Sequence, residues 1–233
     1  MVANRTDDNL DSIGVTEMLE FAGDNVCLAG QIDYPKTDRP SNGYPLIFII
    51  QHGTSISRAD YQHVSELGTN VGSAVFRWDK RGTGRSGNGT SGSLSGDTAK
   101  AYEFALSLPS INPNQVIIFA QSEGTLLLGQ DYSTFARLQK PHGVILASNM
   151  LDEKAVLKIN VPIHFVVSKN DWNDWHIYAE KASDVHAEKY AYESSFYVAT
   201  NTNRMLMYSS GNTFHKGTET SIKHWLKHTC QIS

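Results

Sequence analysis

The chain has 233 residues, 40% of them hydrophobic and 19% charged, with a formal net charge of −4. That size can bury a sizeable core and fits one α/β domain over residues 1–233. The slight negative charge gives no basic footprint for nucleic acid, and no apolar run reaches the roughly 18 residues of a membrane span, so neither partner is expected.

Met1 to Asp8 is polar, without a signal-peptide apolar core, and a cytoplasmic location is expected. Val15–Phe21 and Val26–Tyr34 are strand-like runs around Gly23-Asp24-Asn25, a hairpin signal. A polar loop from Pro35 to Pro45 leads into Leu46-Ile47-Phe48-Ile49-Ile50, which reads as a strand covered on both faces. A helix is expected over Ala59–Gly68 and a strand over Ala74–Trp78. Gly82 to Gly96 is rich in Gly, Ser and Thr and reads as a loop, with Asp97 as the N-cap of the next helix and Pro109 beyond its end.

Val116–Phe119 is the next strand, and Gly143–Ala147, Val161–Val167 and Arg204–Tyr208 read as three more. Thr218–Lys227 closes the chain as a helix. Strands alternating with helices after an opening hairpin imply a mostly parallel, doubly wound sheet. In such sheets reactive groups gather beyond the carboxyl ends of the strands. Cys27 and Cys230, far apart in sequence, are expected to be reduced.

Four polar clusters fall at such strand ends: Gln51-His52-Gly53-Thr54, Gln121-Ser122-Glu123-Gly124, Ser168-Lys169-Asn170-Asp171 and Gly211-Asn212-Thr213-Phe214-His215. Between two apolar runs, Ser122 sits where a strand breaks sharply into a helix, flanked by the small residues Ala120 and Gly124. Such a break presents a serine hydroxyl as a nucleophile. A neutral hydroxyl needs a base in reach, and a carboxylate behind the base fixes its tautomer.

These motifs resemble the α/β-hydrolase superfamily over nearly the whole chain, and within it the uncapped serine esterases. The resemblance rests on Ala-x-Ser-x-Gly at 120–124, His52-Gly53, an acid after the strand ending near Ser168, a histidine near the C-terminus, and Trp78-Asp79-Lys80-Arg81-Gly82-Thr83-Gly84-Arg85-Ser86 against the family's D-x-R-G-x-G-x-S loop. Ala120 stands where the elbow usually has Gly but keeps the small volume. The resemblance implies an α/β-hydrolase fold: a mostly parallel eight-stranded sheet with an N-terminal antiparallel hairpin, helices on both faces and no large cap. It implies Ser122 as nucleophile, His215 as base and then acid, and Asp171 as orienting acid, with Asp174 as competitor. The oxyanion hole is expected from the backbone N–H groups of Glu123 and Thr54. The expected activity is hydrolysis of small or short-chain carboxylic esters through an acyl-enzyme, needing no cofactor and no metal. A peptidase or thioesterase on the same triad and a non-catalytic ligand-binding protein are the alternatives.

Other residues divide between functional and structural readings. Tyr61, Trp172, Trp175 and Phe214 are candidates for the substrate entrance, against ordinary packing. His224 and His228, four apart on one helix face, could hold a metal, but no third ligand is evident. His52 reads as loop packing. Gly82-Thr83-Gly84-Arg85-Ser86-Gly87 matches G-x-G-x-x-G formally, but no helix opens at its end, so a dinucleotide site is not expected. Asp79 is expected to pair with one of the loop arginines. Met150 and Val161 are too close for a cap domain between them, so an open, shallow site is expected. Oligomeric state is not legible.

Overall fold

The structure is a computed structural model that describes residues 12–53, 56–171, 174–192, 194–211, 213–228 and 231. Eight strands form one sheet: β1 (Ile13–Ala22), β2 (Cys27–Pro35), β3 (Tyr44–Ile50), β4 (Ala74–Trp78), β5 (Ile111–Gln121), β6 (Gly143–Ala147), β7 (Ile163–Ser168) and β8 (Ser195–Ala199). Their order is β1-β2-β4-β3-β5-β6-β7-β8. β1 pairs with β2, and β2 with β4, antiparallel, while every later pair is parallel. The opening hairpin turns on Asn25 in the left-handed region, φ 59°, closed by a Gly23 N–H to Val26 carbonyl bond of 2.8 Å.

The uninterrupted apolar runs do what such runs imply in a parallel sheet. Leu46, Phe48 and Ile50 of β3 and Ile118 and Ala120 of β5 enter one core, and the alternating Ile47, Ile49, Ile117 and Phe119 enter the other. α2 (Leu94–Ser107), α3 (Glu123–Gln139) and α5 (Trp175–Lys189) cover the first face. α1 (Gln62–Asn70) and α6 (Lys216–His228) cover the second. Between β6 and β7 stands only the single turn α4 (Glu153–Val156), so no cap is inserted there. Among the described residues, no helix is long and apolar enough to cross a membrane.

Several expectations need correction. The expected helix at Ala59–Gly68 is present, its first turn 3₁₀ over Arg58–Tyr61 and the rest α1. α2 begins at Leu94, because Ser93 rather than Asp97 is its N-cap, its Oγ accepting from the Gly96 N–H at 2.9 Å. Asp97 lies buried inside the first turn, where it pairs with Arg81 and accepts the Asp24 N–H at 2.8 Å. Asp79 pairs not with Arg81 or the Arg85 guanidinium but with Arg58, while the Arg85 backbone N–H donates to it at 2.8 Å.

The last strand was misplaced. β8 is the half-exposed Ser195–Ala199 at the sheet edge. Arg204–Tyr208 is a turn carrying two isolated bridges, Thr202 to Tyr208 and Met207 to Phe214. Cys27 is exposed and free, and Cys230 lies outside the described residues.

Candidate active site

The elbow forms as its sequence demands. Ser122 ends β5 and opens α3 with φ 53° and ψ −119°, a conformation costly for a non-glycine residue. Its neighbours hold it there. The Ser122 N–H donates to the Ala147 carbonyl at 2.9 Å, and Thr125 Oγ1 donates to the Ser122 carbonyl at 2.6 Å. The Met150 N–H donates to Thr125 Oγ1 at 3.0 Å, tying the elbow to the end of β6. Gly124 is required by close approach: a Cβ there would lie 2.7 Å from the Gln51 carbonyl oxygen. The Thr125 N–H closes the first turn of α3 on the Ser122 carbonyl at 2.8 Å, and a helix start of this kind offers its remaining N–H groups to an anion.

The loop after β3 is fastened from both sides. The His52 N–H donates to the Tyr61 hydroxyl at 2.7 Å, and Lys80 Nζ donates to the His52 carbonyl at 2.7 Å. The Glu123 carboxylate packs against Gly53, where a side chain would collide with it. Tyr61 is 0% exposed, so it cannot touch a substrate as expected; it is a strut for this loop. Burial pushes the Tyr61 hydroxyl up and the Lys80 ammonium down from their ordinary pKa values. Burial also lowers His52, helped by Arg204 and Lys80 and opposed by Glu123. Thr54, the expected second oxyanion donor, lies outside the described residues.

Around Ser122 itself the structure departs from the expected relay. Arg204 Nε donates to Ser122 Oγ at 2.9 Å, and Arg204 Nη1 donates to Asp171 Oδ1 at 3.2 Å. The serine hydroxyl donates to the Met150 sulfur at 3.7 Å. A guanidinium therefore stands between the serine and the acid, where an imidazole was expected. Of the two competing carboxylates, Asp171 reaches this cluster from the end of β7. Asp174 is exposed and stands at the start of α5 with φ 46°.

His215 is committed elsewhere. It precedes α6, and its Nδ1 accepts the Thr218 N–H at 3.1 Å while its carbonyl accepts the Glu219 N–H at 3.0 Å. That is the work of an N-cap. With Nδ1 accepting, the neutral ring carries its proton on Nε2, the wrong tautomer to receive a serine proton there. No hydrogen bond joins His215 to Ser122 or Asp171 among the described residues. Tyr208 packs edge-on to its ring at 4.9 Å, and burial lowers its pKa.

Ser122 is only 1% exposed, because Arg204 and Met150 close over it. The open, shallow site expected from the missing cap is thus not what this state presents. Nothing in the sequence singled out Arg204, since it heads the apolar Met205-Leu206-Met207 run and was absorbed into a strand.

The remaining candidates lie at other contacts. Trp175 opens α5 with its ring 5.9 Å from Tyr178, and Trp172 is outside the described residues. Phe214 packs on His63, ring centroids 4.6 Å apart. His224 and His228 stack on one face of α6 at 4.3 Å, and no group of three metal-ligating side chains exists among the described residues. The glycine-rich loop wraps Asp79 rather than opening a helix: Ser86 Oγ donates to the Asp79 carbonyl at 2.6 Å, and a side chain on Gly84 would collide with the Asp79 carboxylate.

No family model matches the chain, and no curated protein matches its sequence. Solved structures match its fold. An esterase from Pyrococcus furiosus superposes with a TM-score of 0.71 at 14% identity, over 98% of this chain and 95% of that one. Est1E from Butyrivibrio proteoclasticus, solved with ferulic acid bound, gives 0.70 at 15% identity over 91% and 99%. A serine hydrolase without lid from Xanthomonas campestris gives 0.61 at 15% identity over 93% and 94%. At these identities the likeness establishes an α/β-hydrolase fold without a cap.

Proposed function

We propose that the chain is a serine hydrolase that cleaves small carboxylic esters through an acyl-enzyme, with Ser122 as nucleophile. The observation that carries this reading is the strained Ser122 backbone, φ 53°, between β5 and α3. Strain of this kind costs on the order of 1–3 kcal/mol and persists where neighbours enforce it, most often at functional sites. The solved neighbours named as esterases support the same reaction class.

In this reading Arg204 withdraws, and His215 turns from Thr218 to accept the serine proton while Asp171 steadies the imidazolium. Ser122 Oγ attacks the ester carbonyl, and the alcohol leaves with that proton. Water then releases the acid and restores the serine. The Glu123 N–H, and the Thr54 N–H expected beside it, stabilise the developing oxyanion; one such donor is worth about 10²–10³ in rate. Ser122→Ala is expected to reduce p-nitrophenyl acetate hydrolysis to background with the circular dichroism spectrum unchanged. Retained activity would sink the assignment.

A second reading has a specific observation in its favour. Arg204 on Ser122 and His215 capping α6 together describe a serine without a base, as in a non-catalytic binding protein of this fold. A fluorophosphonate probe separates the two. Labelling of the wild type and not of Ser122→Ala supports the hydrolase, and an unlabelled wild type supports the binding protein.

A further inference from the structure

Building on the reading of Ser122 as nucleophile, we propose that Arg204 is a substrate-binding residue that selects esters carrying a carboxylate a few bonds from the scissile carbonyl. The backbone around Arg204 is built to aim one guanidinium at the elbow. Its carbonyl accepts from Ser148 Oγ at 2.5 Å, and Asn203 Oδ1 accepts the N–H groups of Met205 at 2.9 Å and Met207 at 3.1 Å. Thr202 is fastened upstream, its carbonyl accepting from Ser168 Oγ at 2.8 Å. Leu206, fully buried, is held at φ 62°, and Ser148 at φ 50°. For a bulky residue such as leucine, that conformation is a genuine outlier. The strained Leu206, the strained Ser148 that grips the Arg204 carbonyl and the bonds to Asn203 together fix the backbone from which the Arg204 side chain leaves.

The side chain they present is chemically specific. A guanidinium is a planar fork of five donors matched to a carboxylate. The Arg204 side chain is 17% exposed, and its bond to Asp171 is 3.2 Å, longer than the roughly 2.7–2.9 Å of a good charge-assisted pair. A substrate carboxylate arriving on the fork can make a shorter one. Because Nε already touches Ser122 Oγ at 2.9 Å, an anion held there lies beside the nucleophile. With the reacting carbonyl about 3 Å from Oγ, carboxylate and carbonyl are separated by about two or three bonds. The exchange also draws the guanidinium away from the serine it covers, so an acidic substrate opens the site more readily than a neutral one.

Monoethyl succinate carries the free carboxylate that diethyl succinate masks as a second ethyl ester. The wild type is expected to favour the monoester in kcat/KM by about tenfold or more, chiefly through KM. Arg204→Gln is expected to bring that ratio close to one, and Arg204→Lys to recover part of the preference. A ratio that stays within about threefold of wild type in Arg204→Gln would overturn the proposal. Calorimetric titration with succinate reads the same site without turnover: Ser122→Ala is expected to bind it and Arg204→Gln not. Succinate bound through Arg204 by a protein that no fluorophosphonate labels would sink the hydrolase reading and keep the anion site. Labelling without succinate binding would do the reverse. Thermal melts of both Arg204 variants establish that they fold.

Discussion

At the scale of single residues, His215 holds two assignments that can be separated. As the cap of α6 it accepts the Thr218 N–H at 3.1 Å. As a base it would need a free nitrogen facing Ser122. Asparagine caps helices as well as any residue, whereas alanine does not. His215→Asn should therefore keep its stability within about 0.5 kcal/mol, and His215→Ala should lose about 1 kcal/mol in urea denaturation. If His215 is also the base, both variants lose ester hydrolysis by about 10²–10⁴. Full activity in the asparagine variant would move the base to His52, which its buried position and the nearby Arg204 and Lys80 also keep below its ordinary pKa.

At the scale of elements, the elbow depends on how closely α3 approaches the end of β3. A methyl group on Gly124 would lie 2.7 Å from the Gln51 carbonyl oxygen and collide with that of Ile50, both rigid backbone atoms. Gly124→Ala should cost about 1–3 kcal/mol and push the Ser122 turn out of place. Gly211→Ala has nothing within 4 Å of its Cβ and should stay within about 0.5 kcal/mol of wild type. Urea midpoints and fluorophosphonate labelling rates measure both effects, and a Gly124→Ala variant that labels at the wild-type rate would contradict this account.

The same scale shows what could be read from the sequence. β3 and β6 were legible because strands covered on both faces must be apolar throughout. β8 was not, because Ser195–Ala199 is a half-exposed edge strand with no such run. Met205-Leu206-Met207 looked like a strand because burial alone was legible. The left-handed Leu206 and the hydrogen bonds to Asn203 that make the segment a turn are tertiary. Ser122 and Asp171 lie just beyond the ends of β5 and β7, as the apolar runs that stop before them implied. The link between them escaped, since it depends on where a turn aims Arg204. Of the two readings open for Tyr61, packing holds, because its buried hydroxyl serves the His52 backbone N–H.

At the scale of the whole molecule, neutral histidines are built into the face covered by α1 and α6. His164 of β7 is fully buried with its ring 5.6 Å from Trp225, and His63 of α1 packs on Phe214 at 4.6 Å. Burial lowers each from 6.5 to about 4. The unfolded chain therefore binds protons that the folded chain refuses. Each histidine's contribution is complete above its unfolded pKa of 6.5 and is lost as pH falls from there toward about 4. Between pH 7 and 5 the linkage is worth up to about 2 kcal/mol per group. Urea midpoints at pH 7 and pH 5 are expected to differ, and His164→Phe, which keeps a ring against Trp225, should remove part of that difference, up to about 2 kcal/mol. If the variant shows the same pH dependence as wild type, the acid sensitivity comes from elsewhere in the molecule.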